Sequence, residues 1–311
     1  MDGTRHDASI RLAYHIQGHP RGDPKPAARP HYNPGETAQT DGRLTTVAVV
    51  DSGITRHPWL DGHYPARSLR FDLAQWDLST PQLPVLAGHG LFVAGIVQKY
   101  APQTTILPRR VVDLDGASND EEVGAAIRDL VADDPDVLNL SLAPGHHDHE
   151  EGDCPPARST AKAIDLLQET CGTIVVISAG YRDEPWPQEQ LAAPGDRTVF
   201  VGALRADQKA PAPWSDDRDV AIWAPGEDTV SFFVYATMSN GHPACSHFKG
   251  WARWSGTSFA APAVAGAVAT AIGNQPQPGD KYGRRLAGLQ TVLRNAGQIG
   301  ERRVLNATPV F

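Results

Sequence analysis

Apolar residues in this chain fall into short continuous runs that alternate with helix-spaced stripes. The run TVAVV at 46–50 is unbroken and β-branched, which predicts a parallel strand buried on both faces. Helical spacing appears at 91–100, a strand pattern at 105–111, and an acid-started helix at 120–131. Further strands are predicted at 137–142, 173–178 and 198–203, with a helix at 159–170. A last helix at 283–295 precedes a short strand or tail. This alternation predicts an α/β fold, a mostly parallel central sheet with helices on both faces. Ligands bind such sheets at the C-terminal strand ends, so the residues that close the runs carry the chemical interest.

One such residue is Asp51, at the tip of TVAVVD. A second segment, GHGLFVAGIV, places His89 between glycines just before an apolar helix. The third, GTSFAAPAVAG at 256–266, puts Ser258 where a helix begins and follows it with small residues. Backbone N–H groups without intrahelical partners surround a serine so placed, and the positive end of the helix dipole favours negative charge there. The small residues let the helix run close to neighbouring strands. Pro262 falls early in it, where a kink is tolerable. Each segment has an ordinary alternative: a helix cap for Thr257 or Ser258, a turn residue for Asp51, a structural imidazole for His89. Together they supply a nucleophile, a base and a group to orient the base, in the order Asp, His, Ser.

With those motifs, the chain resembles the subtilisin-like serine peptidases, the subtilases. VLNLSL at 137–142 is similar to the family's substrate-binding strand, VVISAG at 175–180 to its oxyanion-region strand, and VAIWAPGEDTVS at 220–231 to a late segment. The likeness runs from about residue 45 to 273. It implies a subtilisin-like three-layer fold and peptide-bond hydrolysis without a cofactor. Ser258 would attack the scissile carbonyl, His89 would carry the proton, and Asp51 would orient the imidazole. The Ser258 amide and the Thr257 hydroxyl would face the oxyanion. Ser141, Leu142 and Ala143 would form an exposed edge that takes the substrate as an added strand, with Ala179 and Gly180 nearby. The family usually has glycine where Ala143 stands, so the extra methyl would narrow that space.

The largest departure is Tyr181, which stands where the resemblance predicts the asparagine that donates to the oxyanion. Losing that amide in subtilisin costs roughly a hundredfold to a thousandfold in turnover. Three outcomes are open: the backbone shifts so that Tyr181 or another group reaches the oxyanion, the enzyme is slower, or ordinary peptides are no longer hydrolysed. Asn139 and Asn240 are weaker substitutes, Asn139 because it is expected to satisfy backbone groups. Leu91 and Phe92 replace the polar pair usual after the family's histidine, and both suit packing.

Composition narrows the classes. A chain of 311 residues with 41% hydrophobic content can bury a full α/β core. A formal charge of −8 argues against a nucleic-acid or anionic-membrane partner. No run approaches the roughly 18 apolar residues of a membrane helix, and nothing near Met1 resembles a secretory leader, which predicts a cytoplasmic protein. Three cysteines do not make a disulfide framework. Residues 1–43 are proline-rich and read as an extended arm that wraps the body, occupies the cleft or is removed; 44–311 form the catalytic domain. GHHDHEEGDC at 145–154 offers zinc-type ligands without a zinc spacing, so no metal is assigned. The expected activity is that of a serine endopeptidase with a restricted substrate range. The alternatives are a subtilase-fold peptide-binding or regulatory protein with little turnover, and acyl transfer to an amine.

Overall fold

The computed structural model describes residues 13–15, 24–30, 44–65, 85–112, 117–144, 157–183, 191, 195–238, 246–275 and 280–310. Two short strands come first, β1 (Ala13–His15) and β2 (Lys25–Pro26). The body opens with β3 (Thr46–Asp51), a 3-10 turn at Val85–Gly88 and α1 (His89–Tyr100). Next are β4 (Thr105–Arg110), β5 (Ala117–Asn119), α2 (Asp120–Asp129), β6 (Val137–Leu140), β7 (Ala143–Pro144) and α3 (Arg158–Cys171). Then come β8 (Ile174–Ser178), β9 (Thr198–Leu204), β10 (Val220–Pro225), β11 (Thr229–Met238) and β12 (Ser246–Trp254). The chain closes with α4 (Thr257–Gly273), α5 (Lys281–Arg294), β13 (Gly297–Ile299) and β14 (Arg302–Val304).

Eight strands form the central sheet in the order β13-β14-β10-β9-β8-β6-β3-β4. Every pairing is parallel except that of β13 with β14, and helices complete the three-layer α/β fold. β3, β6, β8 and β9 are buried almost throughout, which is why they read as unbroken apolar runs. The predicted helices and strands of the body lie within a few residues of their expected places. The hairpin β11–β12 was not predicted. Its register shifts between Phe232 and Tyr235, and that irregularity breaks the period-2 pattern that marks a half-buried strand.

α4 lies at the centre. Every residue from Thr257 to Ala269 is buried, as expected for a helix that is apolar on all sides. Gly266 permits its close pass to α1: a Cβ there would sit 2.7 Å from the Val97 carbonyl oxygen. The helix runs on through Pro262. Neither Thr257 nor Ser258 caps it, because Gly256 holds the N-cap position without a side-chain bond.

At the opposite, N-terminal edge of the sheet, α5 is pinned by an ion cluster. Arg285 is 1% exposed and donates from Nε to Asp136 Oδ1 at 2.8 Å and from Nη1 to Asp134 Oδ1 at 3.0 Å. It also reaches the Cys171 carbonyl. The other Asp136 oxygen accepts the Thr46 N–H at 3.0 Å, so one buried carboxylate joins α5 to the start of β3. Removing the arginine leaves that carboxylate uncompensated, which costs about 3–5 kcal/mol. Urea unfolding of Arg285→Met should show a loss of that size; a loss below about 1 kcal/mol would contradict the pinning role.

Candidate active site

The strand order reverses at β3, which has β4 on one side and β6 on the other. The pairing of Val50 with Leu140 puts Asp51 and Ser141 at adjoining strand tips beside that switch point. Asp51 is fully buried. Its Oδ1 accepts the Ser52 N–H at 2.7 Å and lies 2.8 Å from His89 Nδ1, with Oδ2 at 3.0 Å. The turn after Asp51 and the start of α1 interlock: Gly90 N–H donates to Ser52 Oγ at 3.0 Å, and a Cβ on Gly90 would run into the Gly53 carbonyl. Gly53 takes a φ of 87°, a conformation that favours glycine.

With Nδ1 donating to the carboxylate, a neutral imidazole presents Nε2 as an acceptor. That nitrogen is buried and has no hydrogen-bond partner among the described residues. The ring is enclosed by Trp254, 5.8 Å away and nearly perpendicular, and by Phe259 at 5.3 Å.

Ser258 is the second residue of α4 and is 1% exposed. Two bonds tie it to Ser141, just past the end of β6: its Oγ donates to the Ser141 carbonyl at 3.3 Å, and Ser141 Oγ donates to the Ser258 carbonyl at 2.8 Å. The structure therefore joins Asp51 to His89 directly and Ser258 to Ser141. Thr257 Oγ1 accepts the Gly180 N–H at 3.2 Å, which links the start of α4 to the turn after β8. Ala179 and Tyr181 in that turn are buried.

Two expectations need correction. Ser141 and Leu142 do not form an exposed edge, since both are buried and the adjoining β7 is already paired. β1 lies antiparallel between β7 and β5, with Tyr14 opposite Pro144 and Ser118, and His15 opposite Ala143 and Ala117. Asn139 lies within β6, and its Nδ2 donates to a side chain, Ser141 Oγ at 3.0 Å, instead of to backbone groups. Asn240 and the 145–154 loop fall outside the described residues. Among the described residues no group of three or more His, Cys, Asp or Glu is placed to hold a metal. No helix there is long and apolar enough to cross a membrane.

The sequence reading missed Trp254, because the strand that carries it was missed, and it missed the partners of the loop after β3. His57 in that loop stacks on Phe232 at 4.2 Å and has Trp251 edge-on at 5.4 Å. Its Nε2 lies 2.9 Å from the Gly250 carbonyl, and its Nδ1 accepts the Trp59 N–H at 3.3 Å. The Asp51 turn is thereby bound to the hairpin that supplies Trp254.

A family model for the subtilase family matches residues 42–305. The chain belongs to the subtilase family. As a subtilase it falls in the class of serine-type endopeptidases. It is 27% identical over 248 residues to an intracellular serine protease of Paenibacillus polymyxa, covering 74% of this chain and 67% of that protein. To subtilisin E of Bacillus subtilis (strain 168) it is 25% identical over 273 residues, 84% of this chain and 64% of that one. The subtilase thus spans about two thirds of the length of these relatives. Among solved structures it is similar to a lanthipeptide protease (TM-score 0.63, 20% identity, 85% of this chain and 84% of that one). It is also similar to a cold-adapted subtilisin-like serine proteinase (TM-score 0.60, 19% identity, 93% and 94%).

Burial lowers the His57 pKa from 6.5 to about 4, outweighing the opposing bond to the Gly250 carbonyl. As pH falls the unfolded chain takes up that proton first, so stability is full above 6.5 and is lost progressively between 6.5 and about 4. Melting curves of the wild type should therefore fall more steeply across that window than those of His57→Gln. Parallel curves would show that His57 does not carry the dependence.

Proposed function

We propose that this subtilase hydrolyses peptide bonds through Asp51, His89 and Ser258. The observation that carries the reading is the buried pair of Asp51 and His89 at the switch point, with Nε2 left unsatisfied. Buried polar atoms normally have a partner, and Ser258 Oγ supplies one when it turns from the Ser141 carbonyl. Catalytic hydrogen bonds of this kind often tighten only around a substrate. Ser258 Oγ then attacks the scissile carbonyl carbon as its proton passes to His89 Nε2. Asp51 stabilises the imidazolium without taking the proton, and His89 returns it to the leaving amine as the C–N bond breaks. Water repeats the sequence to release the acid.

An extended peptide would enter as a strand between β5 and β7, the slot that this chain's own β1 fills. Ala143 in β7 lies on one side of its path and β5 on the other. The arm therefore competes with substrate. That competition and the buried nucleophile support a restricted range over bulk digestion. No cofactor enters the steps. Similarity to an intracellular protease and a free buried Cys171 support a cytoplasmic setting.

A fluorophosphonate probe should label the wild type and not Ser258→Ala. Tyr14→Pro, which breaks the β1 ladder, should speed labelling at least about fivefold, because proline cannot donate within a central strand. If neither the wild type nor Tyr14→Pro is labelled at Ser258, the peptide-binding reading replaces the enzymatic one. If the wild type labels and Tyr14→Pro labels no faster, β1 does not guard the site.

A further inference from the structure

The turn after β8 holds a phenol where an amide is expected, and its surroundings fix where the hydroxyl goes. Gly180 takes a φ of 92° and donates its N–H to Thr257 Oγ1 at 3.2 Å, while its carbonyl accepts the Asp216 N–H at 2.9 Å. The next backbone bond runs from Arg182 N–H to the Trp214 carbonyl at 3.0 Å, and Tyr181 itself bridges to Ser215. The backbone on both sides of Tyr181 is therefore fastened. Its ring is 1% exposed and packs against Trp214 with centroids 5.6 Å apart. From this anchorage the side chain points at Gly256: a Cβ built there would lie 3.0 Å from Tyr181 Oη. Gly256 immediately precedes Thr257 and Ser258 at the start of α4.

We propose that the Tyr181 hydroxyl is a hydrogen-bond donor to the oxyanion that forms when Ser258 attacks, a catalytic role that rests on the Ser258 reading above. In that step the Ser258 Oγ–C bond forms and the carbonyl π pair moves onto oxygen. The new charge lies on the side of Ser258 that faces its own amide and the first turn of α4. A phenol held rigidly at Gly256 meets it without reorganising, which is the condition under which such a donor is effective. The longer reach of the ring is absorbed by the glycine. Gly256 has an extended backbone that other residues could adopt (φ 169°), so the space beside the hydroxyl, and not conformation, is what a side chain there would disturb.

The test compares steady-state hydrolysis of a peptide ester by the full chain and its variants. Tyr181→Phe keeps the ring and removes only the donor; kcat should fall at least about tenfold with KM changed less than about threefold. Tyr181→Asn restores an amide and should retain more turnover than Tyr181→Phe. Gly256→Ala should lower kcat by displacing the hydroxyl, and should cost almost nothing further in the Tyr181→Phe background. A kcat for Tyr181→Phe equal to the wild type, while Ser258→Ala abolishes turnover, would overturn the donor role alone. Turnover that survives Ser258→Ala would overturn both readings.

Discussion

A buried carboxylate at the tip of a central strand is expensive unless its oxygens are occupied, and here the Asp51 oxygens are held by the Ser52 amide and the His89 ring. That requirement fixes the start of α1 over the end of β3. It also fixes the imidazole tautomer, since the nitrogen facing the carboxylate must donate. Once α1 is placed, the close contact at Gly266 places α4, and α4 carries Ser258 to the tip of β6. The geometry of the site follows from one satisfied ion–imidazole contact and one glycine-sized gap.

The chain surrounds this contact with hydrocarbon. Trp254 and Phe259 close off the imidazole, and the stacked contact of His57 with Phe232 ties the Asp51 turn to the same hairpin. In such surroundings electrostatic interactions are stronger than in water, and unpaired polar atoms are costly. The first property suits a charge that develops during acyl transfer. The second explains why the buried Ser258 hydroxyl donates to the Ser141 carbonyl. Two short strands add a further layer, β1 between β5 and β7 and β2 along the edge of β12.

Much of this was legible in the sequence. Asp51, His89 and Ser258 stood out because each closes or opens an element whose pattern is local: a β-branched run, a glycine-flanked helix start, a small-residue helix. Tyr181 was legible as a departure, but its direction was not, because that depends on Trp214 and Gly256 from distant parts of the chain. The hairpin escaped for a different reason, a register shift that erases the alternation a strand normally shows. The placement of β1 could not be read at all. A three-residue strand has too little pattern of its own, and its position is set by two edges more than a hundred residues away.

The central claim is that Asp51, His89 and Ser258 act as one unit, and non-additivity measures it most directly. Hydrolysis of one peptide ester would be compared for Ser258→Ala, His89→Ala and the double variant. Members of a single proton-transfer device fail together, so the double variant should be no slower than the slower single variant. A double variant whose loss equals the product of the two single losses would show that the residues act independently, and would contradict the account.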